Sequence, residues 1–243
     1  MAERHASFAQ FTFAFQPIVD VGVRDTIAYE ALIRGRRGER PASVFGRLRR
    51  SQRLAFDAAS RARAIELAKL LGITCRLSLN VPPSAVAHPE YGVLATLEAA
   101  RTVGFPAERL IFEITEDEAL PCPRHTLAIL EACRAQGVII ALDDVGAGFN
   151  GLNMMLETGV DLIKLDMQLV AKLTSNPRAR SIIAGFVAGC RAGGVDVVAE
   201  GVDRPEVARA LLAIEVDKMQ GWLFGRPALA RLQSVDPSLF QLA

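Results

Sequence analysis

The chain has 243 residues, 51% of them hydrophobic, and a formal net charge of +1. That length suffices for one large core, and no Pro/Gly/Ser-rich linker or charge block divides it, so it reads as one domain. The near-neutral balance excludes the global basic field that holds long nucleic acids, while a small anion bound by a few local cations stays compatible with it.

Met1 to Gln10 has no apolar core and is not a signal peptide. Four cysteines, at 75, 122, 133 and 190, lack CxxC spacing and an accompanying His cluster. They read as free thiols in a reducing compartment, which points to the cytoplasm. The most apolar later stretch, Ser181 to Cys190, is far too short to span a membrane.

In chain order, short β-type runs fall at Phe13–Gln16, Thr26–Ile33, Arg76–Asn80, Leu110–Thr115, Val138–Asp143, Leu162–Asp166, Val195–Ala199 and Met219–Phe224. Several are apolar at nearly every position, as suits strands buried on both faces of a parallel sheet. Helical segments lie between them. Leu54 to Leu71 carries Ala58, Ala62, Ile65 and Ala68 on one face and stops at Gly72. Thr126 to Gln136 is bounded by Pro123 and Gly137, Pro177 to Arg191 ends before Gly193-Gly194, and Pro205 to Leu212 is shorter. This alternation, at this length, predicts a (β/α) barrel; an open doubly wound sheet is the alternative, without the early Gly-rich fingerprint that would favour it.

Polar residues recur at the same end of successive apolar runs: Glu30, Asn80, Glu113, Asp143 with Asp144, Lys164 with Asp166, Glu200 and Gln220. In a (β/α) barrel that end is one rim of one cavity, where active sites sit. Crowded carboxylates repel one another and raise each other's pKa values, so the arrangement becomes favourable when cations occupy it. Carboxylate and amide oxygens suit a hard divalent ion such as Mg²⁺ or Mn²⁺; zinc would more often recruit Cys or His, and neither stands at these strand ends.

At these residues the sequence resembles the EAL-domain family. The name motif stands as Glu30-Ala31-Leu32-Ile33-Arg34, after an opening Gln16-Pro17-Ile18. Glu113-Ile114-Thr115-Glu116, Asp143-Asp144-Val145-Gly146-Ala147-Gly148, Lys164-Leu165-Asp166, Ala199-Glu200-Gly201-Val202 and Gln220-Gly221-Trp222-Leu223 follow in order, so the likeness runs from about Phe13 to Pro227. It implies a modified TIM (β/α)8 barrel filling residues 1–243 as one domain. It also implies hydrolysis of cyclic di-GMP to linear pGpG with two Mg²⁺ or Mn²⁺ ions.

Carried over by position, Glu30, Asn80, Glu113 and Asp143 would hold the first metal. Asp143 would bridge to the second, attended by Asp144. Lys164 and Glu200 would orient the attacking water and help deprotonate it, with Gln220 in the same network; a desolvated Lys164 beside cations is expected to have a lowered pKa. Glu116 would steady the loop after Asp144. Gln16, Arg34 and Asp166 would face the substrate, with Arg34 on a phosphate.

The resemblance further implies a homodimer near the Asp143–Gly151 loop, to which Phe149, Leu152, Met154 and Met155 would lend apolar surface unless they fill the core instead. Departures from the family pattern are Val145, Ala147, Phe149-Asn150-Gly151 and Val81-Pro82-Pro83; none removes a proposed metal ligand. The competing class is a cyclic di-GMP receptor or interaction module with weak or no catalysis, which typically lacks one or more of these positions. With the motifs starting near the N-terminus, no attached sensor segment is expected.

Overall fold

The computed structural model describes residues 11–115, 123–148 and 151–241. Its elements in chain order begin with a hairpin of β1 (Phe11–Asp20) and β2 (Asp25–Gly35), followed by α1 (Pro41–Phe45) and α2 (Arg53–Leu70). Then come β3 (Arg76–Val81), α3 (Pro83–Val86), α4 (Val93–Val103), β4 (Leu110–Thr115) and α5 (Pro123–Arg134). The second half runs β5 (Ile139–Val145), α6 (Gly151–Thr158), β6 (Leu162–Leu165), α7 (Met167–Val170), α8 (Pro177–Ala192), β7 (Asp196–Ala199), α9 (Pro205–Leu212), β8 (Lys218–Gln220) and β9 (Ala228–Leu229).

Strands β2 to β8 pair in order and in parallel. The circle closes through β1, which runs antiparallel to both β2 and β8. Eight strands thus form a barrel whose first strand is reversed, and β9 extends the sheet beside Ala14 and Phe15. The expected barrel is present, modified in this one strand; the open-sheet alternative is excluded by the β1–β2 and β1–β8 pairings. Among the described residues no helix is long and apolar enough to cross a membrane.

The interior is layered by the two-residue period of a strand. Ile18, Ala28, Ile111, Ala141, Leu162 and Val198 form a small apolar plug, separate from the main core between strands and helices. One step towards the C-terminal rim, two residues further along each parallel strand, stand Glu30, Glu113, Asp143, Lys164 and Glu200. In the reversed β1 the corresponding residue, Gln16, lies two positions before Ile18, and β1 places it opposite Glu30. Each polar side chain is therefore seated on a dry floor that holds its strand in register.

Three expectations shift. α2 buries Phe56, Ser60, Arg61, Ala64, Ile65 and Ala68, leaving Ala58 and Ala62 half-buried. Its buried face includes Arg61 because that guanidinium is fully engaged: it pairs with Asp57 and donates to Thr96 Oγ1 (2.8 Å) and to the Tyr91 carbonyl (2.6 Å). The helices α4 and α6 lie in stretches where no helix was read from periodicity. The last run stops at Gln220, not Phe224, because the chain turns at Gly221: Phe224 and Gly225 both donate to the Gly221 carbonyl.

That turn is tight for a visible reason. A Cβ on Gly221 would overlap the backbone of Val202, so the loops after β7 and β8 touch through bare main chain. Gly221→Ala should therefore destabilise the fold by ~1–3 kcal/mol, as overpacking against backbone does, and lower the thermal midpoint. An unchanged melting curve would show that the two loops can part without cost.

Candidate active site

The centre of the site is Lys164 on β6, 1% exposed. Its Nζ lies 2.7 Å from Glu200 Oε1, 3.1 Å from Glu113 Oε1, 3.1 Å from Asp143 Oδ1 and 3.4 Å from Glu30 Oε2. One cation faces four carboxylates from four other strands or strand ends. Glu30 is also held by Asn80 Nδ2 (3.0 Å) and Gln220 Nε2 (2.7 Å). Gln220 reaches on to Gln16 Oε1 at 3.4 Å, and Gln16 donates to the Gly225 carbonyl at 3.1 Å. Ser78, which the strand-end pattern did not single out, donates to Glu113 Oε1 at 2.6 Å from the neighbouring strand.

Asp143 and Asp144 are adjacent, and a regular strand would point them to opposite faces. The β5–β6 pairing shifts register between Leu142 and Val145, and Asp144 has φ 58°. This bulge turns the second carboxylate back towards the first. As a result Asp143, Asp144 and Glu200 bring carboxylate oxygens within 4.8 Å of one another, a donor set that could hold a metal ion.

Electrostatics follow from the imbalance. Burial pulls Lys164 down, yet Asp143, Glu113, Glu30 and Glu200 together outweigh it and hold the ammonium well above the ordinary lysine value. Four anions at contact distance set this direction, whereas the lowered value is the expectation for Lys164 beside bound cations. Glu113 is pushed well above the usual carboxylate range by burial and by Glu30, with Lys164 only partly opposing. Glu200 is raised to about 7 by burial, against Lys164, with Asp143 and Glu30 adding to it. Glu30 goes down: burial would raise it, but Lys164, Gln220 and Asn80 prevail. Glu113 Oε2 and Asp143 Oδ1 are buried without a hydrogen bond from the protein, although Lys164 Nζ stands 3.1 Å from the latter. Hard oxygen donors, left over after the lysine is counted, fit divalent cations.

These groups open into a cavity of about 420 Å³. Gln16, Glu30, Asp143, Asp144, Lys164, Glu200 and Gln220 line it, together with Met167, Asp203 and the exposed Trp222, which the motif reading left without a role. Arg226 stacks over the Trp222 ring at 3.7 Å. Arg34 lies outside this lining, half-buried, donating to the Ile33 carbonyl. Asp166 is buried and caps α7 by accepting from the Gln168 amide at 2.8 Å. Glu116 and Phe149 lie outside the described residues. Met154 is buried in the core and Met155 half-buried, so they fill the interior, whereas Leu152 and Leu156 on α6 are exposed.

Comparison with known proteins places this geometry. A family model for the EAL domain matches residues 3–227. The solved structure of a standalone versatile EAL protein from Vibrio cholerae O395, in its c-di-GMP bound form, superposes with a TM-score of 0.88 at 36% identity, covering 94% of this chain and 97% of that one. A manganese/cy-diGMP complex of Klebsiella pneumoniae BlrP1 gives 0.84 at 33% identity, covering 90% and 56%. The cyclic di-GMP phosphodiesterase RocR of Pseudomonas aeruginosa is 35% identical over 159 residues, 65% of this chain and 40% of RocR. The chain spans 56% and 40% of the length of two curated relatives it matches, and between 14% and 22% of several others.

Removing the central cation leaves buried carboxylates uncompensated. Lys164→Met, in chelator at neutral pH, should lose ~3–5 kcal/mol of stability and about 10 °C in thermal midpoint. Added Mn²⁺ should restore part of the loss. A midpoint within a degree of the parent would mean that the carboxylates do not need the lysine.

Proposed function

The chain belongs to the EAL-domain family, and from that premise and the site geometry we propose that it hydrolyses cyclic di-GMP to linear pGpG. The observation that supports this most directly is the excess of buried oxygen donors around Lys164: four carboxylates contact one ammonium, and a fifth, Asp144, is folded back beside them. Every position the family uses for metal and water is retained here, which argues against the receptor-only reading.

Glu30, Asn80, Glu113 and Asp143 would hold one Mg²⁺ or Mn²⁺, and Asp143 with Asp144 would attend a second. When bound, the two ions activate a water and stabilise charge on the phosphoryl oxygens. The chain's own residues do the rest. Lys164, in contact with Glu200 at 2.7 Å, helps orient the attacking water, and Glu200 helps take its proton. Gln220 and Asn80 fix Glu30 from two sides, so its carboxylate cannot rotate out of the ligand set. Attack on phosphorus breaks the bond to the 3′ oxygen, which leaves with a proton, and the phosphate stays on the 5′ carbon of the linear product. Arg34 and Gln16 serve the substrate side. The carboxylate-lined cavity of about 420 Å³ takes a small cyclic dinucleotide and repels an extended polyanion.

The protein works as a homodimer in the cytoplasm. Leu152 and Leu156, 60% and 76% exposed on α6, give the apolar surface for the second copy directly after the Asp143–Asp144 bulge.

With Mn²⁺ or Mg²⁺ the purified protein should convert cyclic di-GMP to pGpG, read by mass spectrometry. EDTA should abolish turnover, and Ca²⁺ should allow binding with poor hydrolysis. Lys164→Met in Mn²⁺ should still bind nucleotide while kcat drops about 10²- to 10⁴-fold. Full turnover in chelator, or binding without product in any metal, would defeat the assignment. For the dimer, Leu152→Asp with Leu156→Asp should sediment as a monomer of lower specific activity; a monomer as active as the parent would uncouple the interface from the site.

A further inference from the structure

The segment from Arg34 to Arg53 holds eight arginines and a single acid, Glu39, in a chain whose total formal charge is only +1. The remainder of the chain is therefore net acidic, and the molecule is electrically lopsided. Arg36, Arg37, Arg40, Arg47, Arg49, Arg50 and Arg53 are exposed. Among the described residues, no ion pair involves Arg36, Arg40, Arg49, Arg50 or Arg53. Glu39 spends its carboxylate on the Arg37 amide.

The place of this charge matters. β2 delivers Glu30 to the cavity and then runs five residues further, to Gly35, before the arginines begin. At a strand rise of about 3.3 Å, that puts Gly35 roughly 17 Å past Glu30 on the side of the catalytic rim. The chain then folds back: Pro41 and Phe45 of α1 share a second cavity wall with Glu30 and Asn80. The basic segment therefore flanks the mouth, while the mouth itself is lined by carboxylates that repel an anionic ligand.

We propose that this arginine segment is an electrostatic collar that speeds the approach of the doubly anionic cyclic dinucleotide and offsets the repulsion of the acidic site. This rests on the substrate assigned above. The collar acts at a distance, so it changes encounter and not the chemical step. The Debye length falls from about 30 Å at 0.01 M salt to about 8 Å at 0.15 M, so the field reaches the mouth at low salt and fades at high salt. No exposed large hydrophobic side chain lies in the segment, so it lacks the apolar anchor a membrane-binding element would add.

The test is the association rate of a fluorescent cyclic di-GMP analogue with Ca²⁺-loaded protein, from about 10 mM to about 300 mM salt. The parent is compared with a triple variant, Arg36→Glu, Arg40→Glu and Arg50→Glu, whose folding is checked by its melting curve. At low salt the parent should associate about tenfold faster than the variant, and the two rates should converge at high salt. At saturating substrate and Mn²⁺, kcat should stay within about twofold, since Arg36, Arg40 and Arg50 have no place in the catalytic set. Parallel salt slopes in parent and variant would overturn the collar and leave the catalytic assignment standing. A parent that neither binds nor hydrolyses cyclic di-GMP at any salt would overturn both. Should the triple variant melt early, Arg36→Gln with Arg40→Gln provides the same comparison at a smaller charge change.

Discussion

The structure turns on one imbalance: a single buried ammonium against four carboxylates at the centre of a barrel. Lys164 cannot neutralise Glu30, Glu113, Asp143 and Glu200 together, and burial forbids water from doing so cheaply. Protons and cations are the two ways such a set can balance. Burial and the crowding of like charges push Glu113 and Glu200 towards the first, and buried carboxylate oxygens that accept no hydrogen bond from the protein suit the second. The same carboxylates keep Lys164 charged, so its character depends on what else occupies the set.

Holding like charges together requires a frame that does not yield. The apolar plug of Ile18, Ala28, Ile111, Ala141, Leu162 and Val198 supplies it, one layer below the charges. Because side chains alternate along a strand, slipping a parallel strand by one residue would turn its charged rim group out of the barrel into the apolar core under the helices. The reversed β1 obeys the same rule in mirror order, with Gln16 beside Glu30 and Ile18 beside Gln220. That reversal brings an amide, and no further acid, into the crowded layer, where Gln220 links it to Glu30.

Charge is also sorted over the whole molecule. The carboxylates gather inside the mouth, and arginines gather outside it along the Arg34–Arg53 segment, so a near-zero total hides a strong local field. One buried arginine, Arg61, shows the contrast: with Asp57, Thr96 and the Tyr91 carbonyl as partners it belongs to the architecture, whereas its exposed neighbours in sequence do not. Composition alone cannot separate the two kinds.

The strand-end residues were legible because period-2 alternation is a local property: Ala28 predicts the direction of Glu30, and Ile111 that of Glu113. The barrel and its polar rim followed from polar residues recurring at one end of apolar runs. Other features were not local. The helix Val93–Val103 buries Val93, Thr96, Leu97 and Ala100, a face too mixed to stand out before its neighbours are known. Ser78 gained its partner from the strand alongside, and Trp222 its place from a turn that only the Gly221–Val202 approach makes. The placing of Asp144 beside Asp143 depended on a bulge that a sequence of alternating strands does not announce. Lys164 shows the division most plainly. The amino-acid sequence by itself determined that a lysine ends an apolar strand among acidic strand ends. Only the tertiary structure decided that four of those acids reach it at once, because the count of charges in contact is set by barrel closure and not by any stretch of chain.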